Sequence, residues 1–149
     1  MHAVAPLTST IRLRYDSPSH YGSTGRCSPN TCALLDQARQ GLLDAEYATH
    51  PVERYAQAYL AALRAAAAVL AVRTRPRRRA QPTSAWTVLT TVAPELAEWS
   101  AFFAAASATR AAAQAGVRHL VTNRDADDMV RQAGQFLILA RRSATRTFR

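Results

Sequence analysis

Apolar residues recur at helical spacing in the first half of the chain. A first apolar face follows Asn30 or Thr31, either of which can cap a helix. Its members are Leu35, Ala38, Leu42 and Ala45. A second, more regular stripe begins just after Pro51, where a first-turn proline is tolerated, and runs to about Val72. Its members are Val52, Tyr55, Tyr59, Leu63, Ala66 and Leu70. These two patterns predict two amphipathic helices.

The second half of the chain predicts two more helical stretches. Thr83 or Ser84 can cap the third, and Pro94 forces a kink or a new start within it. The apolar face after Pro94 ends at Gly116, a natural helix stop, and contains Leu96, Trp99, Phe103, Ala106, Arg110 and Ala113. Thr122 or Asn123 can cap the last helix, which ends at Arg141 and Arg142. Its predicted buried stripe contains Ala126, Met129 or Val130, Ala133, Leu137 and Ala140.

These patterns predict an all-α fold, an up-and-down antiparallel bundle of four to five helices. No region alternates convincingly as a strand. We predict a disordered tail over residues 1–29, the helical bundle over residues 30–142 and a frayed C-terminal tail over residues 143–149. The aromatic residues of the third stretch are expected to fill the core rather than stack on bases. They are Trp86, Trp99, Phe102 and Phe103.

The composition supports helices, and it weakens the case for nucleic-acid binding that the net charge makes. Abundant alanine and an aromatic fraction of 7% favour close-packed helices. The net charge of +9 invites a nucleic-acid partner, but all 19 basic residues are arginine, which is typical of GC-rich codon usage. Residues 73–79 carry +5, residues 141–149 carry +4 and residues 1–30 carry +2, which leaves −2 for the rest. The predicted bundle is therefore close to neutral outside its connector and its C-terminal end.

The arginine-rich connector between the second and third helices is the strongest basic segment. Arg75, Arg77, Arg78 and Arg79 are interrupted by Pro76. We interpret this segment first as a solvated connector and second as an RNA contact. If it binds phosphate, the binding should be non-specific and should weaken steeply with salt.

Metal, cofactor and membrane roles find little support. Cys27 and Cys32 can close a small disulfide or chelate a metal, but the second ligand pair of a structural zinc site is missing. The acidic residues that open the last helix are explained by the helix dipole. We therefore expect no metal and no cofactor. No stretch reaches the roughly 18 apolar residues of a membrane span, and no apolar signal-peptide core is present, so we expect a cytoplasmic protein without a membrane partner.

Three segments together resemble the HEPN domain (higher-eukaryote and prokaryote nucleotide-binding), in a small stand-alone branch found in actinobacteria. They are "HPVERYAQAYLAALRAAAAVLA", "SAWTVLTTVAPELAEWSAFFAAASATRAAAQAG" and "VTNRDADDMVRQAGQFL". The resemblance covers roughly residues 31–142. It implies a bundle of four or five helices that is often a homodimer. Members act as metal-independent ribonucleases in toxin and defence systems, or as non-catalytic modules that bind a nucleotide, an RNA or a protein partner such as a nucleotidyltransferase.

The family's ribonuclease motif is an arginine followed by about four to six residues and then a histidine, in which the arginine stabilises phosphate charge and the histidine transfers a proton. The match to this spacing, Arg14 to His20, lies in the predicted disordered tail. In the later helices the histidine is His119, with Arg118 adjacent and Arg110 nine positions back, too far for the motif. Arg110, Arg118, His119 and Arg124 are the candidate catalytic residues of a divergent site.

Three functions remain open. We favour a non-catalytic HEPN-like module with a regulatory or stress and defence role, which binds a nucleotide, RNA or a protein. The alternatives are a ribonuclease with a divergent site and a structural or regulatory helical dimer whose alanine-rich faces bind another protein. The missing motif counts against the ribonuclease, and the nearly neutral bundle counts against strong nucleic-acid binding by the folded part.

Overall fold

The computed structural model describes residues 27–74 and 84–145, and these residues form a helical bundle. The α-helices are α1 (Pro29–Tyr47), α2 (Pro51–Arg73), α3 (Ala85–Val92), α4 (Ala97–Gln114) and α5 (Asn123–Thr145), with 3-10 turns at Pro94–Leu96 and Arg118–Leu120. The described part of the chain contains no strand, so the predicted all-α class is confirmed. Residues 1–26, which hold most of the predicted tail, and residues 146–149 lie outside the described residues.

The first helix begins earlier than predicted. Ser28 is its N-cap, and its hydroxyl accepts a hydrogen bond from the backbone N–H of Thr31 at 3.2 Å. Pro29 occupies the first helical position, where its fixed φ suits a helix and its missing N–H costs nothing. Asn30 and Thr31 are therefore inside the helix, and the predicted cap at either of them was wrong.

Helix α2 lies at the centre of the bundle and contacts each of the other four α-helices. Tyr55 and Tyr59 are buried on it, as predicted. Most of its other buried positions carry alanine: Ala58, Ala61, Ala62, Ala65, Ala66 and Ala68. The larger members of the predicted stripe, Val52, Leu63 and Leu70, are only partly buried. Because several helices surround α2, its buried arc is wider than one stripe and is centred on the small residues.

The same helix is long and apolar enough to cross a membrane by length and composition alone. Half of its most apolar window is buried inside the bundle. That burial is typical of the core helix of a folded domain, and α2 serves as one here.

The directions of the helices follow from contacts between their ends. Helices α1 and α2 are antiparallel, since a short turn joins them and Gly41 packs against Ala61. Helices α2 and α5 run in the same direction: Arg54 pairs with Asp127 near their starts, and Arg73 donates a hydrogen bond to the Ser143 carbonyl near their ends. The bundle thus contains both antiparallel neighbours, such as α1 and α2, and parallel ones, such as α2 and α5.

The break predicted at Pro94 is present. Ser84, one of the two predicted caps, caps α3 by accepting a hydrogen bond from the Trp86 N–H at 3.1 Å. Helix α3 ends at Val92, and Pro94 opens a 3-10 turn from which α4 starts. Helix α4 ends at Gln114, and Gly116 adopts a φ of 118°, a left-handed conformation that favours glycine.

Aromatic side chains from three helices fill the space beside the alanines of α2. The Trp86 indole N–H donates to the Tyr59 hydroxyl at 2.9 Å, so both buried polar atoms are satisfied. The Trp86 and Phe103 rings stack with centroids 5.1 Å apart, and Phe103 lies 5.2 Å from Phe136. Phe136 is fully buried but was absent from the predicted stripe, whereas Phe102, expected in the core, is 41% exposed.

The last helix is capped reciprocally and is longer than predicted. The Asp125 N–H donates to the Thr122 hydroxyl and the Thr122 N–H donates to the Asp125 carboxylate, each at 3.0 Å. The helix continues through Thr145, so the predicted end at Arg142 is three residues short. Ser143 and Ala144 are buried, and their packing holds the last turn that the sequence predicts to fray.

A polar network joins the ends of α2 and α5 to the 3-10 turn after α3. Arg73 pairs with Glu95 at 2.8 Å, and the Ser143 hydroxyl donates to the Glu95 carboxylate at 3.1 Å. Arg73 also donates to the Val92 carbonyl at 3.1 Å. The hydrogen bond from Arg73 is the main cause that lowers the pKa of Glu95, although partial burial opposes it.

Two adjacent phenylalanines test the assignment of the core. We expect Phe103→Ala to lower the free energy of unfolding by about 3–5 kcal/mol, because it leaves a cavity among buried rings. Phe102→Ala removes the same atoms from a half-exposed site and should cost much less. Urea denaturation monitored by circular dichroism compares them, and equal losses would contradict the assigned core.

The lowered pKa of Glu95 predicts a pH-dependent contribution to stability. The ion pair stabilises the fold above the ordinary pKa of a glutamate, and the contribution disappears as pH falls through the lowered value. Since Glu95 is partly exposed, Glu95→Gln should cost no more than about 1 kcal/mol at neutral pH and nothing at strongly acid pH. Glu98→Gln, one turn away, is the charge-matched control in denaturation at both pH values, and an equal effect of the two substitutions would contradict the prediction.

Candidate functional site

A cleft of about 550 Å³ opens where the start of α2 meets the end of α4. This volume lies within the usual range for small-molecule sites, roughly 300–1,000 Å³. Helix α2 contributes one wall, and α4 with the turn after it contributes the other. The polar residues that line it are His50, Glu53, Gln57, Arg110 and Gln114.

Arg110 on α4 is the most constrained cation of the cleft. Its guanidinium carbon lies 5.3 Å from the centroid of the Tyr59 ring, a cation–π distance. Its Nε is buried and has no hydrogen-bond partner among the described residues. Tyr59 is itself held by its hydrogen bond from Trp86, so the platform under the guanidinium is fixed. A buried N–H donor of this kind costs free energy unless a ligand or water accepts from it.

Gln57 on α2 adds a second unpartnered polar atom to the same cleft. Its Oε1 is buried and has no hydrogen-bond partner within the described part of the chain. Unpartnered buried polar atoms are rare in folded proteins, and two of those found here belong to residues that line one cleft. These two atoms are themselves closed to solvent, so Gln57 and Arg110 meet a bound molecule through the other atoms that line the cleft.

Two ionisable residues lie at the exposed rim of the cleft. His50 is the N-cap residue of α2, and its side chain makes no capping hydrogen bond. Glu53 lies in the first turn of α2, where the helix dipole favours a carboxylate. A carboxylate beside an arginine suits a ligand that carries both an anionic group and hydroxyl or amino donors.

Three of the four residues of the predicted divergent catalytic site have different surroundings. Arg110 lines the cleft, but His119 is exposed in the 3-10 turn Arg118–Leu120 and is not among the lining residues. The Arg124 side chain is 82% exposed and lies 4.0 Å from the Asp128 carboxylate, one turn along α5. The backbone of Arg118 is described and its side chain is not. No contact among the described side chains joins His119 to Arg110 or Arg124.

The remaining predicted sites fall outside this cleft. Arg75, Arg77, Arg78 and Arg79 lie outside the described residues, so their interpretation as connector or RNA contact stays a prediction. Within residues 27–74 and 84–145, no group of three or more metal-ligating side chains is found. The first turn of α5 uses Asp125 for capping, while Asp127 and Asp128 pair with arginines.

The two cysteines, for which the sequence left a disulfide and a metal pair open, form a disulfide. Cys27 and Cys32 have Cα atoms 5.6 Å apart, an ordinary separation for this bond. The bond spans the N-cap and first turn of α1, between the residue before Ser28 and the fourth residue of the helix.

Helix α4 carries an exposed alanine-rich surface. Its exposed side chains between Glu98 and Gln114 include no charge: they are Ala101, Phe102, Ala104, Ala105, Ala108 and Ala111. The helical dimer, and a nucleotidyltransferase or other protein as partner, stay predictions.

The described residues thus define a small all-α bundle with a polar cleft between α2 and α4. A family model described as SAV_6107-like HEPN matches residues 45–141, more than half of the chain. The chain therefore belongs to the HEPN superfamily, as the sequence resemblance predicts. The match begins near the end of α1, although all of α1 packs into the bundle. No curated protein and no solved structure matches the chain.

Sequence reasoning identified Arg110 but missed the residues that face it. Gln57 is one polar residue on a helix otherwise predicted from its apolar stripe, and His50 has no neighbours at ligand spacing. The sequence gives only a weak indication that Gln57 belongs to a site: it lies two positions from Tyr59, beside the predicted apolar stripe. Only the packing of α4 against α2 brings Gln57 and Arg110 to one cleft.

Gln57 permits a stability test of the cleft. Gln57→Met keeps the side-chain length and removes the unpartnered amide, so we expect the free energy of unfolding to rise by roughly 1 kcal/mol. Gln37→Met, at an exposed position of α1, is the matched control and should change little. Thermal denaturation followed by circular dichroism measures both. A destabilised Gln57→Met protein would indicate that the amide is already satisfied in the free protein.

Proposed function

We propose that this HEPN protein is a non-catalytic module that binds a phosphate-bearing ligand, a nucleotide in the first place, in the cleft at Arg110. The observation that carries the proposal is the position of Arg110 in the wall of the cleft, where a cation–π contact with Tyr59 directs its guanidinium. A guanidinium is well matched to phosphate oxygens, which accept its N–H groups in a fixed geometry.

The second wall of the cleft supports a nucleotide over inorganic phosphate. Gln57 contributes an amide side chain to the lining, and Glu53 contributes a carboxylate at the rim. Both suit the hydroxyl or amino groups of a nucleoside, which inorganic phosphate lacks. The volume of about 550 Å³ also exceeds what a single phosphate fills.

The position of His119 supports binding rather than cleavage. Ribonuclease chemistry of the family type needs a histidine within hydrogen-bond reach of the attacking hydroxyl while an arginine holds the phosphate. Arg110 is in the cleft, whereas the exposed His119 lies in the turn beyond it. The ribonuclease therefore ranks second, and RNA as a ligand remains an outcome of the test.

Substitution of Arg110 tests the proposal. Isothermal titration with ATP, GTP, AMP and a short single-stranded RNA should detect binding of a nucleotide to the full chain. Arg110→Gln should weaken that binding at least about tenfold, which corresponds to about 1.4 kcal/mol. Arg110→Lys keeps the charge but loses the planar guanidinium over the Tyr59 ring and its paired N–H donors, and it should also bind weakly. Arg124→Gln makes the same charge change at an exposed site and should alter affinity less than about twofold.

Two results would overturn the proposal. The first is equal weakening by Arg110→Gln and Arg124→Gln, which would assign binding to net charge rather than to the cleft. The second is the absence of nucleotide binding by the folded parent protein. A parallel incubation with RNA in chelator tests the alternative: cleavage by the parent and not by an Arg118→Ala/His119→Ala variant would establish a ribonuclease instead.

A further inference from the structure

The Cys27–Cys32 pair forms a compact turn at the start of α1. Each cysteine is partly exposed to solvent. The pair encloses only the four residues between them, and that turn also contains the N-cap of the helix. From this arrangement we propose that Cys27 and Cys32 are a reversible thiol–disulfide exchange site for small thiols of the glutathione type.

Hydrogen bonds hold this turn independently of the disulfide. The Thr31 N–H donates to the Ser28 hydroxyl at 3.2 Å, and the Cys32 N–H donates to the Ser28 carbonyl at 2.9 Å. The Cys32 sulfur lies 3.5 Å from the Cys27 carbonyl oxygen, which can accept a hydrogen bond from the thiol once the pair is reduced. These bonds keep Cys32 in the first turn of α1 after reduction, and the loop of four residues keeps Cys27 near it, so we expect the disulfide to re-form readily.

The exchange is balanced in two steps. A glutathione thiolate attacks one sulfur of the pair, the Cys27–Cys32 bond breaks, and the other cysteine leaves as a thiolate. A second glutathione thiolate attacks the mixed disulfide, which releases the second cysteine and forms glutathione disulfide. The two cysteines gain two electrons and two protons, and two glutathione molecules lose them. The reverse sequence, driven by glutathione disulfide, restores the bond.

The site lies far from the cleft at Arg110. Helices α1 and α2 are antiparallel with Gly41 against Ala61, so Cys32 lies towards the end of α2 that carries Arg73. The cleft lies at the opposite end, beside Glu53. Exchange at the cysteines is therefore expected to leave ligand binding in the cleft unchanged, and the two proposals fail or succeed separately.

The test equilibrates the folded full chain in buffers of increasing ratio of glutathione to glutathione disulfide. Free thiols are then alkylated and counted by intact-mass spectrometry. We expect the pair to pass from disulfide to dithiol within the tested series and to return on addition of glutathione disulfide. The far-ultraviolet circular dichroism should show a folded bundle at both the lowest and the highest glutathione ratio, since the N-cap of α1 does not depend on the disulfide.

Single-cysteine variants identify the mixed disulfide. Cys27→Ser and Cys32→Ser should each accumulate one glutathione adduct under glutathione disulfide, because no second cysteine is present to displace it. Two results would overturn the proposal. One is a pair that stays oxidised in the folded protein at the highest glutathione ratio, which would make the bond purely structural. The other is a pair that stays reduced in glutathione disulfide.

Discussion

The close approach of helices to the alanine face of α2 is the constraint on which the rest of the structure depends. Methyl side chains at Ala58, Ala62 and Ala65 are almost completely buried, so neighbouring helices pack near the backbone of α2. Side chains this small do not fill a core by themselves, because protein interiors reach the packing density of organic crystals. The volume is supplied from outside α2, by Trp86 and Phe103 above all. A bulkier residue on the alanine face would separate these elements and strain the core.

The cleft is a consequence of where that packing ends. Towards the start of α2 the alanine face gives way to Gln57 and Glu53, which line the cleft instead of the core. Tyr59 lies between the core and the cleft. Its hydroxyl accepts a hydrogen bond from Trp86 in the aromatic core, and its ring contacts the guanidinium of Arg110. The same side chain thus fixes the core and orients the cation. Buried polar atoms without partners lower stability, and such costs are tolerated mainly where they serve a ligand.

Most of the fold was predictable because its signals are local. The Ser84 cap, the break at Pro94 and the stop at Gly116 each depend on a few adjacent residues, and the structure contains all three. The signals that failed depend on contacts distant in sequence. Phe136 is in the core because Phe103 and Trp86 meet it there, and the parallel course of α2 and α5 has no sequence signature. The candidate site shows the same division. Arg110 was identified from the sequence as a candidate site residue, whereas Gln57 can be assigned to the cleft only from the packing of α2 against α4.

Net charge and local electrostatics lead to different conclusions for this chain. The +9 charge lies largely in the connector and the ends, and the rest of the chain carries −2, so the overall field of the bundle gives little reason for it to attract an anion. Arg110 does not depend on that field. A partly buried guanidinium interacts with a bound phosphate through a lower dielectric than an exposed one, and salt screens it less. Binding in the cleft should therefore vary weakly with ionic strength, whereas contacts made by an arginine-rich surface segment vary steeply. The salt dependence of a bound ligand thus distinguishes the two modes without reference to the protein's total charge.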